Sequence, residues 1–330
     1  MNEFVFFLNN VVISGLVAGS IYALGAIGVT LLFGILRFAH FAHGDMMTLG
    51  AFITLVLTWI LAGMGVSSGL PLAYFVLPLA IAITIVAALG LDRLFYAPLR
   101  ARGAKPVTLL IASIGVTMML QGLIRLLFGT GTYSFFEEVP KVIYRMPVEG
   151  ATRAITFTQP QAIGVVVTIL AVIALHLFLK RSRNGKAMRA VADNPDLAQV
   201  SGINIRKIVR LTWIIGAGLA CLAGTFLALD VTVKPDLAFN ILLPIFAAAI
   251  VGGVGQVYGA IVAGYLIGFA EVLAVFNWSV LLRPFRDSLP DWVPTTLAIV
   301  PTEYKVTVAF VILVVTLLLR PTGIFRGASS

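Results

Sequence analysis

The chain is organised as long apolar stretches parted by short polar ones. Runs near the length of about 20 residues that a bilayer-crossing helix needs fall at 10–33, 46–64, 71–95, 107–128, 160–179, 208–229, 240–256, 258–277 and 304–320. They predict an all-α, polytopic helical membrane protein with about eight to nine transmembrane helices. The count turns on Gly252-Gly253-Val254-Gly255-Gln256-Val257-Tyr258-Gly259, which alone breaks the long stretch holding the seventh and eighth runs. Such a cluster reads either as a tight turn between two helices or as an unwound element within the protein. The longest polar stretches, 129–158 and 180–207, are each about thirty residues, short of the ~40 at which an independent core becomes marginal. A single transmembrane domain over 1–330 is therefore expected. No Lys or Arg precedes the first run, which is too long for a signal peptide, so that helix is expected to be retained.

Composition agrees with a bilayer and then adds a direction. The chain is 60% hydrophobic and 11% charged, with a mean hydropathy of +1.03, whereas a soluble domain carries about a quarter charged residues. The net charge of +9 would suggest nucleic acid only on a soluble basic face, and here the basic residues lie between spans, so no nucleic-acid partner is expected. With the amino terminus outside, the inner segments total +11, the outer −3 and the spans +1. The stretch 180–210 alone holds eight Lys and Arg, which predicts a cytoplasmic carboxyl terminus. The single cysteine, Cys221, excludes a disulfide framework or a Cys-rich metal site.

Candidate chemistry inside the spans is sparse. Small residues recur every fourth position in Gly15-xxx-Gly19-xxx-Ala23, Gly255-xxx-Gly259-xxx-Ala263 and Ala260-xxx-Gly264-xxx-Gly268, a pattern that lets helix backbones approach closely in lipid. The same glycines also suit a backbone-lined translocation path, for which the candidates are Gly15, Gly19, Gly252, Gly253 and Gly255, with Glu271. Glu271 lies well inside the eighth run and reads as a helix-bridging or capping carboxylate, or else as a proton carrier. His40, His43 and Asp45 are metal-ligand types, but nothing nearby closes a coordination sphere, so no metal is expected. An ordered re-entrant or capping turn is predicted instead, with Asp45 as N-cap of the second span. No phosphate-binding loop, catalytic triad order or paired carboxylates on one helix face appear, so neither an enzyme site nor a cofactor is expected on this chain.

The segment 180–207 is different in character. Ala187 to Ala192 is short and partly apolar, Asn194-Pro195-Asp196 restarts a helix with proline in its first turn, and Gly202 ends it. Leu197, Val200 and Ile203 are spaced as an apolar ridge flanked by Arg189, Asp193 and Asp196. Such a ridge fits a partner's groove, or else the loop lies on lipid headgroups and supplies topogenic charge.

The stretch from Gly185-Lys186-Ala187-Met188-Arg189 to Val200-Ser201-Gly202-Ile203-Asn204, with the span after it, resembles the cytoplasmic coupling loop and following helix of branched-chain amino acid ABC importer permeases. Four further stretches are similar to the same family: the first span from Ser14, Ala112 to Gln121, Ala247 to Glu271, and Glu303 to Phe325. Asp45 departs from the glutamate of many relatives, and 278–303, with Arg283-Pro284-Phe285-Arg286 and Pro290-Asp291-Trp292, is longer than the family pattern. The resemblance implies a permease of the bacterial inner membrane, paired with a second homologous permease. Two cytoplasmic ATPase subunits that hydrolyse the ATP and a periplasmic substrate-binding protein are also implied. It implies that Arg189, Asn194, Pro195, Asp196, Leu197, Val200 and Gly202 couple the chain to the ATPase. Branched-chain amino acids are the expected substrate, with urea, short amides or aromatic acids as alternatives within the family. An ion-coupled carrier working through Glu271 is the alternative outside it.

Overall fold

In the computed structural model, which describes residues 1–66, 68, 70–136, 140–282 and 297–325, the apolar runs are helices. Inside a bilayer only internal hydrogen bonds can satisfy the backbone, so each run closes its own. Four long helices come first: α1 (Asn2–Leu36), α2 (His43–Gly63), α3 (Ala73–Ala101) and α4 (Pro106–Phe128). A β-hairpin follows, β1 (Ile143–Met146) antiparallel to β2 (Ile155–Thr158). Then come α5 (Gln159–Arg181), the short pair α6 (Arg183–Asp193) and α7 (Pro195–Val200), α8 (Ile205–Asp230), α9 (Phe239–Gly252) and α10 (Val257–Val275). After the one-turn α11 (Ser279–Leu282), α12 (Lys305–Leu319) completes the described fold.

Eight helices among the described residues are long and apolar enough to cross a membrane. The seventh apolar run is not among them, because α9 has 14 residues and is about 21 Å long, short of the ~30 Å hydrocarbon core; together with residues 231–238 it still carries the chain from the Tyr133–Val233 pairing to the glycine turn beside Gly34. The glycine cluster behind it is a tight turn, with Gly253 and Gly255 at positive φ. There α9 and α10 touch through backbone: a β-carbon on Gly252 would sit 2.3 Å from the Gly259 carbonyl carbon. The hairpin was not foreseen in an all-α reading. It hangs on α1, where the Asn9 side chain donates to Ala154 O and accepts from Thr156 N, both at 3.0 Å.

The core is built around α1, whose apolar window is 83% buried against 6% for the last span. Its glycine face meets α10 antiparallel, and the predicted small-residue motifs interlock. A β-carbon on Gly264 would lie 2.7 Å from Ala23 N, and one on Gly268 would lie 2.5 Å from Gly19 N. In lipid, where apolar burial gives no drive for helix association, such approach supplies van der Waals contact in its place.

The two ends of the bundle differ. At the basic end lie the 37–42 turn, α6 and α7, and the glycine hairpin, since Arg37 reaches Ala192 and Gly34 abuts Gly255. The opposite end carries the β-hairpin, with Tyr133 paired to Val233 and Lys141 beside Asp230. The feature at Arg283 to Trp292 lies outside the described residues.

Candidate functional site

The segment after α5 forms two helices joined at a proline, as its sequence predicts, and each start is capped. Ser182 Oγ accepts from Gly185 N at 2.8 Å, Asn194 Oδ1 from Leu197 N at 3.0 Å, and Asn204 Oδ1 from Lys207 N at 3.1 Å. Each cap satisfies an amide that the helix leaves unbonded. Pro195 fills the first position of α7, and Gly202 at φ +84 leaves it. One face is sealed onto the bundle through Met188, Val191 and Ala198, all buried. The other face turns Arg189, Asn194, Asp196 and two apolar residues outward, with Leu197 64% and Val200 87% exposed. Ile203, expected on that ridge, packs into the core instead. Gly202 reverses the chain before it, so the free ridge is Leu197 and Val200.

Three contacts make this pair rigid with the spans. A β-carbon on Gly185 would fall 2.2 Å from Phe178 O, so α6 leaves α5 at a fixed close approach. Asn204 caps α8 directly after α7. Arg37, in the left-handed conformation that ends α1, donates from Nη2 to Ala192 O at 2.7 Å. A cavity of about 140 Å³ lies between α6 and the glycine hairpin, bordered by Thr30, Gly34, Arg189, Asp193, Gly255 and Gln256. It brings Gly255 and Arg189, predicted for different roles, to one place. The other path candidates are packed: Gly15 against Phe269, Gly19 against Tyr265, Gly252 against Gly259 and Gly253 against Phe325.

Glu271 is 1% exposed and joins three helices. Its Oε2 accepts from the Tyr22 hydroxyl of α1 at 2.7 Å and faces Lys305 Nζ of α12 at 3.5 Å. This geometry is that of a bridging carboxylate. Its cation was hidden in the sequence because Lys305 reads there as an interfacial residue of a distant span.

The predicted re-entrant turn is present at 37–42. The His43 side chain sits against Gly28, so α2 starts roughly 12 Å up α1 from Leu36. His40 packs in an aromatic nest, 5.0 Å from Trp213 and 5.3 Å from Tyr96 between ring centroids. Among the described residues no group of three metal-ligating side chains forms. Asp45 is not the N-cap: α2 begins at His43 with Ala42 before it, and the carboxylate turns sideways to α4. Asp45 Oδ1 accepts from Gln121 Nε2 at 3.0 Å, which outcompetes local capping because it satisfies two otherwise stranded polar groups.

The sequence reading passed over the polar side of α4. Ser113, Thr117, Gln121 and Arg125 recur every four residues in an otherwise apolar helix, so they fall on one face. Ser113 Oγ accepts from Phe41 N at 3.2 Å, and Arg125 Nη1 donates to Gln121 Oε1 at 3.4 Å. The signal was legible as a period-four polar pattern within a stretch whose mean hydropathy alone reads as a span.

A bundle of membrane-length helices around a glycine-packed core, carrying an outward-turned helix pair at its basic end, defines a multi-pass membrane protein of the transport-permease class. Residues 11–317 match the family described as the branched-chain amino acid transport system / permease component, and the chain belongs to that family. It is 32% identical to the high-affinity branched-chain amino acid transport system permease protein LivH of Escherichia coli K12 over 98% of this chain and 96% of that one. It is 33% identical to the permease protein BraD of Pseudomonas aeruginosa over 94% of each. The solved structure of PsaBC from Streptococcus pneumoniae in complex with Fab aligns at TM-score 0.48 and 15% identity, over 97% of this chain and 96% of that one.

Proposed function

We propose that this chain is the inner-membrane permease subunit of an ATP-driven importer of branched-chain or related amino acids. In this reading it pairs with a second homologous permease, takes substrate from a periplasmic binding protein and is driven by two cytoplasmic ATPase subunits that bind and hydrolyse the ATP. The basic end is cytoplasmic, which puts the amino terminus outside and the carboxyl terminus inside, in keeping with the excess of Lys and Arg at 180–210.

The observation that carries the proposal is the two-sided coupling pair. Leu197 and Val200 are free while Met188, Val191 and Ala198 are locked into the bundle. An exposed apolar ridge on a capped, braced element is suited to seat in a partner's groove and move the spans attached to it. Arg189 and Asp196 stand at its rim, where charges steer and register docking at about a kcal/mol or less each. Passage of a zwitterion requires polar groups or water along its route, because an uncompensated charge in the bilayer is costly.

The test is reconstitution in vesicles with the candidate ATPase, partner permease and binding protein. Leucine uptake that requires ATP and every subunit is expected. Uptake by this chain alone under an ion gradient would reject the proposal. So would normal transport-coupled ATP hydrolysis in an assembled Asp196→Arg or Pro195→Leu importer.

A further inference from the structure

The polar face of α4 meets a buried carboxylate of α2. Asp45 is 2% exposed at membrane depth, with Gln121 and Thr117 as its hydrogen-bonding side chains and Arg125 as its nearby positive charge. Its nearest ally is the neutral amide of Gln121, whereas Glu271 has a lysine. An ionisable side chain held in a span at such cost, without a counter-charge in contact, marks a functional position. Thr117, on the same face one turn before Gln121, turns its buried hydroxyl to the same carboxylate.

The arrangement of Gln121 says what the position is for. Its NH2 group donates to a carboxylate, Asp45, and its carbonyl accepts from a guanidinium, Arg125. A free amino acid presents those two functions at comparable spacing, an ammonium that donates and a carboxylate that accepts. We infer that Thr117, Gln121 and Arg125 of α4 and Asp45 of α2 form a polar track for a zwitterionic amino acid, in which Gln121 holds the place that the substrate takes. Asp45 receives the ammonium and Arg125 the carboxylate. The inference rests on the amino-acid reading above and deepens it by naming the contacts.

The track has a direction. Arg125 stands one turn from the β-hairpin end of α4 and is exposed, Asp45 is buried deeper, and Ser113 lies below against the 37–42 turn. There Phe41, whose amide donates to Ser113, stacks on Phe246 of α9 with ring centroids 4.9 Å apart. The flank of α4 away from Asp45 carries Met118 and Leu126, exposed and apolar. A substrate entering from the β-hairpin end would meet Arg125 first and Asp45 next.

The test reads water and substrate at the track in the whole importer, after Cys221→Ser removes the one native thiol. Thr117→Cys and Gln121→Cys are expected to react with a charged, membrane-impermeant methanethiosulfonate at least tenfold faster than Met118→Cys. Leucine-loaded binding protein is expected to slow that reaction severalfold. In uptake, Asp45→Asn is expected to lose at least tenfold and Asp45→Glu to recover most of it. Equal reaction at positions 117, 121 and 118 in an importer that carries leucine normally would overturn the track. Wild-type uptake by Asp45→Asn would do the same. Failure of the amino-acid reading would show separately, as an unmodified importer that carries no amino acid.

Discussion

Truncating the free ridge, Leu197→Ala with Val200→Ala, separates docking from folding. Leucine loses three carbons and valine two, and each buried methylene contributes about 0.8 kcal/mol. Scaled by the fraction of each residue now open, 64% and 87%, the losses are about 1.5 and about 1.4 kcal/mol when a partner covers them. Together they weaken association by about 3 kcal/mol, on the order of a hundredfold in Kd. The isolated permease should melt where wild type does, because neither side chain is buried in it. The assay is a titration of the ATPase subunit onto the permease in nanodiscs, with thermal unfolding of the permease alone alongside. A Kd within threefold of wild type would refute the docking reasoning, and so would a loss of thermal stability comparable to the loss of affinity, which would show the ridge to be structural.

Three further outcomes are expected. Lys305→Met leaves the buried Glu271 carboxylate without its cation and should cost about 3–5 kcal/mol, Glu271→Gln leaves only the partly exposed lysine and should cost less, and Glu271→Leu with Lys305→Met should fall closer to wild type than Lys305→Met alone; additive losses in thermal unfolding would contradict a coupled bridge. Gly264→Val drives a side chain into the Ala23 backbone and should cost about 3 kcal/mol or more, whereas Gly122→Ala meets nothing within 4 Å and should be tolerated; comparable folding yields and melting temperatures for the two would argue against close α1–α10 packing. Asn194→Ala removes the cap of α7 and should cost about 1 kcal/mol, seen as faster hydrogen exchange in 195–200 with the spans unchanged; unchanged exchange there would show that the cap is not what holds α7.

What was legible in the sequence followed from local rules. The limits of the spans came from apolar length, the break at Pro195 from proline chemistry, and the α1–α10 seam from small residues at fourth positions. What was hidden depended on groups far apart in the chain. Lys305 beside Glu271, Gln121 beside Asp45 and Arg37 on Ala192 are tertiary pairings, and no window of sequence contains both members. The Asp45 cap failed for the same reason, since a local rule gave way to a partner on another helix. The shortness of α9 was hidden because hydropathy continues through residues that the structure gives to the turn, where only φ distinguishes Gly253 from a helical glycine.

The contact between Arg37 and Ala192 has a consequence for how such a protein can change over evolutionary time. The guanidinium grips a main-chain carbonyl, so the address is written in the backbone and any residue at 192 presents it. Substitutions there need no compensating change at 37, and the pair leaves no trace in co-variation between the two columns of an alignment. Yet it ties the central helix to the segment on which a partner would push. A search for coupled residues would miss this link between α6 and the core, which is found by asking what the first arginine of the chain holds.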